Sequence, residues 1–465
     1  MKRLVPIFLA AITIIYASCG SKNYFQVIKV PEEKFYQGQY KEAARMLLPE
    51  VNRSGKDQLL YMMECGYMLH AGAEYETSNT VLLKAGKIAK IIPTSVSQQV
   101  TAMLTSDRNT NYRGEDFEKV LVHMYLGINF LMLKDYDSAR VEFKMVNEEL
   151  LKIKTEEGSA RYKQNIMAKY LTAVSYEIIG TMNNDADDIE YAYKEYEQIL
   201  ALNPGLDLVY RDLQRISKQL NYMDDYAKWT KQFGKRDAIP ADAGELIVIF
   251  QTGKTAIKHS RGGLMSDATM KQSIIVSMST MSLAAGVTTG AIMVTLNKAE
   301  NPIPVFKRRT DQINAIRVKI NNQYFSTLDM EDIATTAIKN LEDDYGRLRT
   351  RVAASIVTKA AASIAAGLAA RAIAEKAGGG SMSSLIGVVA GAGTGAMLFS
   401  QMKPDLRCWH TLPARLQIGR TFLRPGTYKI TLEFIGKNGA ITGKKDLTVE
   451  IKKGEKTFIS ERALI

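Results

Sequence analysis

What most constrains this chain is a small residue that recurs in the same register, once per pair of candidate helices, along its N-terminal half. Gly66 is followed by Leu69, Tyr75, Ser78, Leu82 and Ala85, and Leu126, Gly127, Phe130, Tyr136, Ala139 and Phe143 repeat the pattern one unit later. A small residue on each helix of a pair lets the two backbones approach closely. The aromatic near the turn and the large apolar side chains fill the gap to the next pair. A third unit, interrupted by the acidic run Asn183-Asn184-Asp185-Ala186-Asp187-Asp188, resumes with Ala192, Tyr196 and Pro204. A half unit, Gly38-Gln39-Tyr40 with Ala43 and Leu47, precedes the first. Helix pairs of this kind cannot bury their apolar faces alone and must stack into an array.

The pattern resembles the tetratricopeptide repeat and places a repeat array over residues 30–226. That resemblance implies a concave groove that holds a peptide or a partner domain and carries no catalytic machinery. Residues 86–118 read as a long insertion between repeats, and such insertions are often functional. It ends in Tyr112-Arg113-Gly114-Glu115, where Gly114 supplies a turn and Glu115 and Glu118 place acids at the positive end of the next helix.

Beyond a linker at 227–243 the periodicity changes from helical to alternating. The apolar run 245–250 suits a buried strand; Ile316, Val318 and Ile320 alternate with Arg317 and Lys319; Tyr428, Ile430, Leu432 and Phe434 alternate with Lys429, Thr431 and Glu433; Leu447, Val449 and Ile451 repeat the alternation. Short strands separated by Pro425-Gly426 and Asn438-Gly439 turns predict a β-sandwich over 244–465. Two helical insertions, at 268–298 and 328–402, interrupt it. The expected fold is therefore α+β and multidomain, a helical repeat array followed by a β-sandwich with an inserted Ala/Gly-rich helical hairpin.

Runs 272–297 and 377–402 lack charge and carry glycines four apart, Gly286 and Gly290 in the first, Gly387, Gly391 and Gly395 in the second. Such spacing suits close helix packing, inside a protein or in a bilayer. Each run is long enough, at ~1.5 Å per residue, to cross a membrane of about 30 Å. Packing within protein or an oligomer interface is the favoured reading, because Ser, Thr, Gly and Ala outnumber Leu, Ile and Phe; a membrane-inserted oligomeric assembly or pore component is the alternative.

The first residues, MKRLVPIFLAAITIIYASCG, have the charged, apolar and small-residue regions of a signal peptide ending at a lipid-accepting thiol. Residues 1–18 are read as the signal, Cys19 as the lipid attachment site and 19–29 as a tether, with Gly20 favouring export to the outer membrane, facing the periplasm. Net charge is +12, of which Lys2 and Arg3 carry two, leaving +10 on the mature chain. Export argues against nucleic acid as the partner of that charge and leaves lipid headgroups, peptidoglycan or, as the favoured reading of charge spread along the chain, a solvated basic surface with no specific partner. With Cys19 acylated, Cys65 and Cys408 remain and are read as free buried thiols. No His, Cys or carboxylate spacing suits a metal, Gly-x-Ser-x-Gly is absent, and Gly253-Lys254-Thr255 lacks the upstream glycine of a phosphate loop. Neither a cofactor nor catalysis is expected.

Two blocks carry a wider likeness: Tyr112-Arg113-Gly114-Glu115-x-Phe117-Glu118-Lys119, and Asp405-Leu406-Arg407-x-Trp409-x-Thr411-Leu412-Pro413-Ala414-Arg415-Leu416-Gln417. Both resemble the signature of a family of functionally uncharacterised bacterial lipoproteins with a repeat-containing N-terminal half. The chain departs from that family in the length of run 272–297 and in Cys408 and His410. The resemblance implies a role around envelope or peptidoglycan assembly. Read physically, the second block is a corner: Trp409 is a buried anchor, Leu412-Pro413 turns the chain, and Asp405, Arg407 and Arg415 form an ion-pair network. The expected function is that of a lipid-anchored, non-catalytic scaffold whose groove binds a protein partner, with a homo-oligomer as a further expectation.

Overall fold

The computed structural model describes residues 23–91, 110–152, 164–236, 238–280, 287–297, 299–376, 399 and 402–464. Cys19, Gly286, Gly387, Gly391 and Gly395 lie outside them. Helices follow one another in antiparallel pairs: α1 (Tyr24–Tyr36) with α2 (Tyr40–Val51), α3 (Gln58–Ala71) with α4 (Tyr75–Ile91), α5 (Asp116–Met132) with α6 (Tyr136–Lys152), α7 (Ile166–Asn183) with α8 (Ala186–Leu202), and α9 (Tyr210–Gln219) with α10 (Met223–Phe233). The small residues do what the spacing predicts. A Cβ added at Gly66 would lie 2.5 Å from the Leu82 side chain, and one added at Gly127 would lie 2.5 Å from the Phe143 ring.

The array is longer than the sequence pattern suggested at both ends. Its first helix starts at Tyr24, inside the stretch expected to be a tether, because Asn23 makes a capping box with Gln26 and Tyr24 and Ile28 are buried. The expected half unit is therefore a whole pair. At the other end α10 runs on to Phe233, into the expected linker, with Trp229 buried and donating its indole N–H to Tyr193 at 2.8 Å. The acidic run 183–188 is no interruption either. Asn184 adopts the left-handed conformation, and the Asp185 side chain caps α8 by accepting from the Asp187 amide.

The two helices of each pair differ in a way that decides the architecture. Every residue from Leu59 to His70 in α3 is buried, and α7 is buried from Met167 through Glu177, whereas α2 and α8 bury one face only. A helix buried all round needs cover on both sides. The second helices supply one side, and a β-sheet supplies the other.

That sheet has the order β10-β1-β7-β6, and a second has the order β5-β4-β8-β9. Their strands are β1 (Gly244–Thr252), β4 (Ile313–Ile320), β5 (Gln323–Ser326), β6 (Leu328–Asp332), β7 (Arg415–Leu423), β8 (Gly426–Gly436), β9 (Ile441–Ile451) and β10 (Lys456–Ala463), with β2 (Ile257–His259) and β3 (Val305–Lys307) paired separately. β1 is central, antiparallel to β7 and parallel to β10. Its alternate residues serve two cores. Leu246, Val248 and Phe250 pack with Ile316, Val318 and Leu432 between the sheets, while Ile247 and Ile249 join the core that includes Tyr67 and Tyr125 of the array. A strand with no wet face reads as an unbroken apolar run, as this one does.

The expected helix from residue 328 begins five residues later, because 328–332 is β6, paired antiparallel with β7. The helix itself, α13 (Ile333–Lys376), is 44 residues long, and α11 (Ala268–Thr280) and α12 (Thr289–Leu296) pack along it. Within run 272–297 the described residues form parts of helices of 13 and 8 residues, and 281–286 between them lie outside the described residues. A Cβ on Gly290 would meet nothing within 4 Å among the described residues. Among the described residues, α13 is the one helix long and apolar enough to cross a membrane.

Gly127→Ala places a methyl group where Phe143 already sits, and the ring must move. We expect a net loss of ~1–3 kcal/mol, the usual cost of overpacking, despite the better helix propensity of Ala. Chemical denaturation of both variants checks it; unchanged stability would contradict the close approach.

Candidate functional site

The concave face of the array is the natural place for a ligand, and the chain's own segment 403–414 fills it. The first helices project polar side chains toward that face, and these hold the backbone of the segment. Glu64 on α3 accepts the His410 amide at 2.6 Å with one oxygen and the Thr411 amide at 3.2 Å with the other. Glu118 on α5 accepts the Trp409 amide at 2.6 Å. Tyr24 donates to Glu64 at 2.8 Å and to the Cys408 carbonyl at 3.2 Å, and Tyr36 donates to the His410 carbonyl at 2.8 Å. Trp409, 1% exposed, packs edge-on against Tyr67 and Tyr125, with ring centroids 6.3 and 6.1 Å away.

The two sequence blocks meet here. Tyr112 donates to Glu118, and Glu118 and Glu115 cap α5 reciprocally after Gly114 turns the chain at φ +74. Arg407 lies over the Tyr112 ring at 5.5 Å, donates to Asp57 at 2.6 Å and to the Thr110 carbonyl at 3.2 Å, and forks onto Asp405. Lys258 pairs with Glu115. Arg113 buries one guanidinium nitrogen without a hydrogen-bond partner among the described residues. Arg415 does not join the expected network with Asp405 and Arg407. It points from β7 toward Asp329 at 3.1 Å and Asn314 at 3.2 Å, because the Leu412-Pro413 corner separates it from the groove.

Burial sets the charge states. It pushes the Glu118 carboxyl up to about 7, with the neighbouring Glu115 charge adding to the effect. It also raises Glu64, against the pull of His410. Burial opposes the charged form of His410, yet Cys408 and Glu32 hold it well above the ordinary histidine range. Asp405 is desolvated too, but the Arg407 guanidinium keeps its carboxyl below the usual range. These groups are engaged with one another and with main-chain amides, which is the arrangement of a clasp. Cys65 and Cys408 are both free and buried, as expected.

Two further joints tie array to sheet. Tyr67 donates to Gln251 at 2.9 Å, Gln251 lies 2.7 Å from one His70 nitrogen, and the other is 2.6 Å from the Asn129 amide oxygen. Asn129 donates onward to Ser78 and Asn79, so His70 must donate to Asn129 and accept from Gln251, which requires the neutral ring. Burial lowers its pKa to about 4, in keeping with that state. At the far end of the array Glu177, Asp212 and Glu245 interleave with Arg215, Arg420 and Lys456 in a closed, charge-balanced cluster.

The periodicity did not expose Glu64, Asp57, Tyr24, Tyr36, Glu32 or Gln251 as site residues. One signal was present: in Leu59-Leu60-Tyr61-Met62-Met63-Glu64-Cys65 a single carboxylate stands in an otherwise uncharged run. An acid in a helix that is apolar all round has to find buried donors.

No family model and no curated protein matches this chain. Solved structures similar to it are repeat proteins. MamA from Desulfovibrio magneticus RS-1 is 15% identical over 44% of this chain and 88% of its own, with a TM-score of 0.29. A Podosopora anserina protein with nearly identical TPR-like repeats is 14% identical over 44% and 91%, also with a TM-score of 0.29. With scores this low, the repeat assignment rests on the Gly66–Leu82 and Gly127–Phe143 packing.

A carboxyl whose pKa is raised on folding favours the folded state most fully below its unfolded pKa, and that advantage is lost as pH rises through about 7. For Glu118, fully buried and lifted to about 7 from 4.5, the swing is about 3 kcal/mol at most. We expect stability to fall between roughly pH 5 and pH 8, and Glu118→Gln, which keeps an acceptor for the Trp409 amide, to flatten part of that slope. Urea titrations across this range check it; an identical slope in the variant would show that Glu118 does not titrate there.

Proposed function

We propose that this chain is a lipid-anchored, non-catalytic interaction platform of the bacterial cell envelope, tethered through Cys19 to the outer membrane, and that its protein partners bind its outer surface. What supports this reading is the filled groove. Glu64, Glu118 and Tyr36 already hold residues 408–411, so the inner face that α1, α3 and α5 present is occupied by the chain itself. The array then acts as a clamp that rigidifies the sandwich and presents an outer surface where Val141 of α6, Met182 at the end of α7, Tyr191 of α8 and Met223 of α10 stand exposed. Peptidoglycan remains a candidate ligand on charge grounds, and the envelope assembly role implied by the two sequence blocks belongs to this same reading.

A second reading, membrane insertion, draws on α13, whose Leu368 and Ile373 are exposed near the end of a long apolar helix.

Photo-crosslinking in the native host separates these. A crosslinker at Met182 or Tyr191 is expected to capture another protein, and one at Tyr125 only the chain itself. Capture at Tyr125 with none at the outer sites would overturn the outer-surface reading. Lipid-phase labelling of α13 in a Cys19→Ala protein would favour insertion.

A further inference from the structure

Where α5 and α6 of the array face β6 and the start of α13, the structure leaves a cleft of about 360 Å³. That volume is within the range of small-molecule sites. Phe117, Val120, Leu121 and Leu150 line it from the array and Ile333 from α13. One polar group stands out against this apolar wall. Glu331, on β6, accepts from Asn165 at 2.9 Å with one oxygen and from Thr336 at 3.0 Å with the other. Both donors are neutral, and each carboxylate oxygen keeps a lone pair to spare.

Three buried carboxylates of the array-to-sheet contact have cations beside them: Glu177 has Arg215 and Lys456, Asp212 has Arg420, and Asp57 has Arg407; Glu64 and Glu118 instead accept main-chain amides of the segment that covers them. Among the described residues no basic side chain pairs with Glu331. Asp332 adds to the negative potential at Glu331, and Lys339 and Asp343 line the cleft from α13. Burial pushes the Glu331 carboxyl up to about 7, and Asp332 adds to the effect. A desolvated carboxylate at an apolar cleft, with donors to spare it only partial satisfaction, is the arrangement that a cation with an apolar body completes.

We propose that this cleft is a binding site for a cationic amphiphile, an alkyl or aryl ammonium whose head donates to Glu331 and whose chain lies on Phe117, Val120, Leu121 and Leu150. The array supplies the apolar wall and the sandwich supplies the charge, so the site exists only when the two are docked.

The test uses the full mature chain and n-octylammonium, octanoate and n-octanol as probes, with calorimetric titration at about pH 8.5, where Glu331 is ionised. Octylammonium is expected to bind at least about tenfold more tightly than octanoate, about 1.4 kcal/mol. Glu331→Gln, which still accepts from Thr336, is expected to abolish that preference while leaving octanol binding in place. Leu121→Trp, which fills the cleft, is expected to remove binding of both. Equal affinity for the two ions in the wild-type chain, no binding of octylammonium at millimolar concentration, or a preference that survives Glu331→Gln would each overturn the proposal. The wild-type comparison of the two ions decides the matter even if a variant fails to fold.

Discussion

The structure depends on two buried carboxylates gripping a strip of main chain. Glu64 and Glu118 sit on consecutive first helices of the array, and between them they accept the amides of Trp409, His410 and Thr411. Removing those amides would leave two desolvated acids facing an apolar surface, a cost of several kcal/mol on its own. Removing the acids would leave three buried amides unpaired. Neither half of the contact is tolerable without the other, and the aromatic packing of Trp409 between Tyr67 and Tyr125 closes over it.

Much of the fold was legible in the sequence because its signals are local. Gly66 and Gly127 lie opposite large side chains of the next helix, and the required register shows in the spacing alone. The alternation of Ile430, Leu432 and Phe434 likewise follows from one wet and one dry face. What escaped was the relation between the halves. Periodicity reports how a helix meets its immediate neighbour, and it is silent about a surface covered by residues hundreds of positions away. α3 gave a partial warning, being apolar in every direction, a pattern that no two-layer repeat explains. Arg407 and Arg415 looked equivalent within one block, yet a proline corner sends one into the groove and the other to the far edge of a sheet. The first turns of α1, within 19–29, read as tether because Tyr24 and Ile28 are too few to announce an amphipathic helix without knowing what they pack against.

The site followed the same division. The blocks at 112–119 and 405–417 were both visible as unusual, and their residues turned out to be opposite sides of one contact. Nothing in either block alone indicates that the other completes it. Glu331 was invisible for a different reason: an acid near the start of a helix is ordinary, and only the three-dimensional arrangement shows that its described partners, Asn165 and Thr336, are neutral.

Tyr40 donates to the Arg462 carbonyl on the last strand, 422 positions away. The first helix pair and the final strand are therefore mutual conditions. While the chain emerges from its N-terminal end, the tyrosine-rich inner face of the array is built long before residues 403–463 exist to cover it. In that interval the groove is open, sticky and identical in kind to a peptide-binding surface. High sequence separation of this sort slows folding and lengthens the exposure. The exposure of that face ends only when the segment centred on Trp409 arrives to cover it.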